Sequence, residues 1–150
     1  MAAKTVPFEG EVLANNAFRW QRVTAGFAST NDVVTIAQTA YSLFAVKAGT
    51  FVRAVYAYVV TAFTASVTLD IGDATDVDGF LATAKIAPTS ADTNSVLVAT
   101  YAGTAEAYNG GKFYSADTNI NITVGGANPL AGKLVAYMEY LDLNSLGVPS

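Results

Sequence analysis

The stretch DIGDATDVDG, residues 70–79, sets four aspartates within ten positions of a chain that carries only 13% charged residues. Three chemistries are open to such a cluster. A calcium loop of the helix–loop–helix kind needs an acid at its first position and a bidentate Glu at its twelfth. With Gly79 as the invariant glycine, Asp76 and Asp78 fall correctly, but Ala74 and Lys85 occupy those two positions, so that loop is excluded. An irregular calcium site on Asp73, Asp76 and Asp78 stands as the metal alternative. Paired-carboxylate catalysis needs acids on opposite walls of a cleft, whereas these share one hairpin end, where water would keep their pKa values ordinary. The reading adopted from the sequence is a solvated turn, since Asp and Gly form turns through side-chain-to-backbone bonds and tolerance of positive φ.

Other chemistry is scarce. The chain has no His and no Cys, which removes the Ser-His-Asp and Cys-His nucleophiles, His- and Cys-ligated zinc, and any disulfide. The glycines of GGK at 110–112 and GG at 125–126 precede no helix, so they make no phosphate loop. NIT at 121–123 matches a glycosylation acceptor but sits within a strand pattern. A catalytic pair would have to join distant acids such as Asp32 and Glu106, and no pattern brings them together. The expectation is a non-enzyme with no catalytic residue and no cofactor.

The elements that carry these residues read as strands. SVTLDIGD alternates, with Val67, Leu69 and Ile71 on one face and Thr68 and Asp70 on the other; NINITVGG does the same through Ile120, Ile122 and Val124. GKLVAYMEYLDL sets Leu134, Ala136, Met138 and Tyr140 against Val135, Tyr137, Glu139 and Leu141. YSLFAV, the turn KAGT and FVRAVYAYVV read as strand, turn and strand. In the last of these, Val55, Ala57 and Val59 share a face with Phe51 and Arg53, while Val52 lies with Ala54, Tyr56, Tyr58 and Val60. GFLATAKIA, SVLVATY and KFYSA complete about eight strands, with no sustained helical stripe. The predicted fold is all-β, a two-sheet antiparallel β-sandwich of jelly-roll type with an extended N-terminal arm. Residues 1–25 form the arm, 26–142 the sandwich and 143–150 a loose or borrowed tail. The arm has a short strand near 18–23, and Phe8, Phe18 and Trp20 are candidate anchors on a neighbouring chain.

The balance of the 150 residues says how such a domain would live. Net charge is −4, the eight Lys and Arg stand singly, 52% of residues are hydrophobic and mean hydropathy is +0.35. Without a basic stripe, nucleic acid and anionic membranes are not expected partners. The longest uncharged apolar run, between Arg53 and Asp70, is shorter than the roughly 20 residues a spanning helix needs. Pro7, Glu9 and Glu11 interrupt any secretion signal. Surplus apolar surface on a poorly charged domain points to protein partners.

AGTFVRAVYAYVVTAFTASVTLDIGDATDVDGFLA, followed by FYSADTNINITV and AGKLVAYMEYLDL, resembles the capsid decoration (cement) proteins of tailed bacteriophages. The likeness covers about residues 45–142 and rests on structural motifs: the AGT turn, the V-x-T-A-F corner, the IGD-x-x-D-x-DGFLA turn and the aromatic closing strand. The resemblance implies a jelly-roll-like sandwich that binds several subunits of the major capsid protein on the outside of the virion. It implies a homo-oligomer, a trimer before a dimer, made in the host cytoplasm. The alternative is a carbohydrate- or receptor-binding module of a fibre or tail, using Tyr56, Tyr58, Tyr137 and Tyr140 as a platform.

Overall fold

The structure is a computed structural model of the full chain, and it describes residues 18–26, 34–35, 40–63, 66–86, 98–99, 107–126 and 131–146. Phe8, Asp32 and Glu106 lie outside the described residues. The strands are β1 (Arg19–Gly26), β2 (Val34–Thr35), β3 (Ala40–Val46), β4 (Thr50–Thr61), β5 (Val67–Gly72), β6 (Val98–Ala99), β7 (Lys112–Tyr114), β8 (Thr118–Gly126) and β9 (Lys133–Asp142). One sheet runs β2-β1-β9-β4-β6, with β7 also paired to β4; the second runs β3-β8-β5. This is the all-β, two-sheet sandwich expected. Its pairings are antiparallel except for the two-residue contact of β1 with β2, which is parallel.

The core lies between the sheets and follows the period of two. Val67, Leu69 and Ile71 of β5 and Ile120, Ile122 and Val124 of β8 meet Leu134, Ala136 and Met138 of β9, all buried. Strand β4 departs from the predicted alternation. A bulge between Val52 and Ala54 gives Arg53 no partner on β9 and turns Val52 inward beside Val55, Ala57 and Val59. Ala54 and Tyr56 then face outward with Tyr137. Further register shifts lie between Val59 and Thr61 of β4 and between Ser42 and Phe44 of the edge strand β3.

Two further segments differ from the sequence reading. GFLATAKIA is not a strand. Phe80 and Leu81 plug the core, Leu81 makes an isolated bridge back to Ile71, and a single helical turn, α1, follows at Thr83–Ile86. Its start is held by Asp70, whose Oδ1 accepts from the Thr83 backbone N at 2.7 Å and its hydroxyl at 2.9 Å. The start of the tail is not loose. Leu143–Leu146 form a 3-10 turn. Leu143 N donates to Gly49 O at 2.9 Å, and Asn144 Nδ2 to Ala48 O at 2.6 Å. Gly49 has φ +81, and a Cβ there would overlap the Asn144 side chain, so the glycine both makes the β3–β4 turn and admits this contact.

Candidate interaction surface

The acidic turn is where sequence reasoning and structure part most clearly. Asp73 is not solvated: it is 3% exposed. Its Oδ1 accepts from the backbone N of Thr75 (2.9 Å) and Asp76 (3.2 Å) and from the Tyr108 hydroxyl (3.1 Å). Its Oδ2 accepts from Lys112 Nζ at 2.6 Å and from the Tyr114 hydroxyl at 2.8 Å. Burial alone would push this carboxyl up, but Lys112, Tyr114 and the two backbone N–H groups outweigh it and hold the pKa at about 2. Burial would lower the Lys112 pKa, yet its bonds to Asp73 and Tyr108 leave it raised. Burial and the neighbouring Asp73 anion both push Tyr114 up. The Lys112 ammonium also lies over the Tyr108 ring, 4.0 Å from its centroid.

This cluster is a structural lock. It ties the loop after β5 to the turn before β7, and the loop geometry depends on it. A Cβ on Gly72 would overlap Asp76 O, and one on Gly79 would enter the Tyr108 ring. The sequence signal that could have revealed it is the pattern Asp73-x-Thr75, an acid followed by N–H groups folded back onto it, together with the lysine of GGK in a chain so poor in cations. Asp76 and Asp78 stay on the outer side of the turn. The Asp78 pKa is raised, chiefly by the hydrogen bond it shares with Asp76, then by burial and the Asp76 charge. With Asp73 turned into the lock, no group of three acids converges to hold a metal among the described residues.

The outer face of the larger sheet presents the other feature of note. Register pairs Trp20 with Glu139, Arg22 with Tyr137, and Tyr56 with Tyr137, placing all of them on the side away from the core. Trp20 is 54% exposed and leans on Tyr56, ring centroids 5.1 Å apart; Tyr58 stacks on Tyr137 at 6.5 Å. Glu139 is only 5% exposed, because Arg53 Nη1 (2.9 Å) and the Tyr56 hydroxyl (2.9 Å) close over its two oxygens. The Arg53 guanidinium in turn lies over the Phe18 ring, 5.2 Å from its centroid. At the lower end Phe113, 52% exposed, pairs with Phe51, which pairs with Leu141. The structure thus brings Phe18 and Trp20 together on one aromatic face. Tyr140 is not part of it: it packs against the core on the inner side.

An aromatic patch with arginines and one neutralised carboxylate has the composition of an interface centre rather than of a reaction site. The class of protein defined by this geometry is a two-sheet β-sandwich whose outer sheet face carries aromatics, with Phe18, Trp20 and Phe113 exposed and Tyr56 buried beneath them. Comparison with known proteins finds no matching family model and no matching curated relative. Among solved structures, the chain is similar to one in the acidic stable capsid structure of Helicobacter pylori bacteriophage KHP30. The identity is 18% and the TM-score 0.54, over 81% of this chain and 86% of that one. It is also similar to a chain of the cyanophage Pam1 capsid asymmetric unit, at 18% identity and a TM-score of 0.51, over 94% of this chain and 91% of that one. At this identity the likeness is one of fold: the sandwich is shared with chains found in two bacteriophage capsid structures.

Proposed function

We propose that this chain is a structural virion protein of a bacteriophage, a non-enzymatic subunit that decorates the outside of the capsid and binds several copies of the major capsid protein. The observation that carries the reading is the exposed Trp20, with Phe18 beside it, on the outer sheet face of a sandwich shared with chains of two capsid structures. The surplus of apolar residues and the absence of His and Cys fit a subunit that works by being bound. In this reading residues 1–25 belong to the attachment region, with Phe8, Phe18 and Trp20 as its anchors, and assembly is as a trimer. The protein is made in the host cytoplasm and ends on the virion surface.

The test is composition and occupancy of intact particles. The chain should co-purify with heads in a fixed ratio to the major capsid protein. Trp20→Ala should lower that occupancy, by about tenfold if Trp20 is a central anchor, while the isolated variant stays folded. Particles that lack the chain altogether would overturn the reading.

A further inference from the structure

Strand β1 has one complete partner and one open side. It pairs with β9 along all eight residues, but β2 meets it only at Ala25 and Gly26. Over residues 19–24 the second edge of β1 therefore has no strand beside it among the described residues. Alternate backbone N–H and C=O groups along such an edge point away from the sheet, ready to pair with another strand.

The first four side chains along this edge are uncovered on both faces, while Val23 packs against the core. Arg19, Trp20, Gln21 and Arg22 are all exposed. Towards the core side, Arg19 and Gln21 open onto a cleft of about 170 Å³ whose lining includes Lys47, Thr50, Tyr140 and Asp142. On the outer side, Trp20 and Arg22 border the aromatic face. Arg19 and Arg22 have no ion pair or hydrogen bond among the described residues. A chain of net charge −4 thus presents along one six-residue edge two cations, and no acid, the cations being unpaired among the described residues.

We propose that the β1 edge over residues 19–24 is a docking site for an extended, acid-bearing segment of another polypeptide, which adds to the sheet as a further strand. Charge decides between occupants. Pairing this edge with the same edge of a second copy would crowd four guanidiniums into one short ladder, and like charges across a ladder are destabilising. The arginines block self-pairing, which is how edge strands are commonly protected, while favouring carboxylates. Because neighbouring residues of a strand point to opposite faces, Arg19 and Arg22 project on opposite sides of the sheet. The matching segment carries two acids three residues apart, one for each face, with backbone pairing supplying affinity and the arginines supplying selection. This deepens the assembly reading by naming the chemistry of the partner, yet its test needs no virion.

The experiment is a titration of the full chain, followed by backbone amide NMR at low salt. The probe is a capped six-residue peptide of sequence Thr-Glu-Val-Thr-Glu-Val; controls are the same peptide with Lys for Glu, and with alternate backbone nitrogens methylated. Shifts should map to Arg19–Thr24, and the acidic peptide should bind about tenfold or more tighter than the basic one. The methylated peptide should not bind, and the double variant R19E/R22E should reverse the preference. Equal binding of acidic and basic peptides, shifts that map away from β1, or no binding up to about 1 mM would overturn the proposal. The methylated peptide keeps the test decisive should the double variant not fold. A negative result here leaves the virion reading to the particle composition, which is measured separately.

Discussion

Replacing Asp73 by Asn keeps the shape of the side chain and removes its charge. The variant retains acceptor capacity for one or two of the five donors converging on Asp73, and it strands Lys112 Nζ, which lies 2.6 Å from Oδ2 with its side chain only 24% exposed. Removing one partner of a buried ion pair costs about 3–5 kcal/mol; the partial exposure of Lys112 places this case near the lower end, about 3 kcal/mol. The pH dependence gives a second magnitude. The folded pKa of Asp73 is about 2 against an ordinary 3.8. That gap is worth about 2–3 kcal/mol. Because the folded value is the lower one, this stabilisation is present in full above about pH 4 and drains away as pH falls through 3.8 towards 2. Urea unfolding of the full chain at neutral pH, and again at steps down to pH 2, reads both effects. Asp73→Asn should lower stability by about 3 kcal/mol at neutral pH and flatten the acid limb. Adding Lys112→Met should recover part of the loss, since the stranded charge goes with it. A loss of under about 1 kcal/mol at neutral pH, with an acid limb as steep as that of the unmutated chain, would refute the lock.

Two further outcomes concern the backbone of the same turn and the outer face of the larger sheet. Gly72→Ala should destabilise by about 2 kcal/mol or more, read by thermal melting, because the added Cβ would meet backbone atoms of Asp76 and Val77 that cannot step aside. Glu139→Gln should cost about 1–3 kcal/mol in urea unfolding, through the weakened bonds from Arg53 and the Tyr56 hydroxyl; a neutral result would mean that the closure over Glu139 contributes nothing to the fold.

Strands whose faces differ in polarity were readable from the sequence. β5 and β8 bury the residues that the alternation assigns, because one face of each meets the core and the other carries Thr, Asp or Asn that stay partly exposed. β4 defeated the same rule. It is apolar on both sides, so no contrast in the sequence marks the bulge at Arg53 that brings Val52 inward. GFLATAKIA misled for a related reason: Phe80 and Leu81 are apolar as in a strand, but they plug the core from a loop whose path is set by Asp73 and by the cap at Asp70. The lock itself was hidden because its members, Asp73, Tyr108, Lys112 and Tyr114, are separated by up to 41 residues. Taken singly, each reads as turn or strand. The aromatic face was half legible: Trp20 and Phe18 stood out as isolated aromatics, while their meeting with Tyr56, Arg53 and Glu139 depends on β9 lying between β1 and β4.

That placement of β9 bears on how the molecule comes into being. The middle of the larger sheet is filled by residues 133–142, which join a strand from the first 26 residues to one from positions 50–61. Until that late stretch is in hand, β1 and β4 have nothing to hold them side by side, and their greasy surfaces stay bare. Such remote pairings close slowly. The larger sheet is therefore complete only once residues 133–142 have joined β1 to β4, and the surface around Trp20 exists only from that moment on.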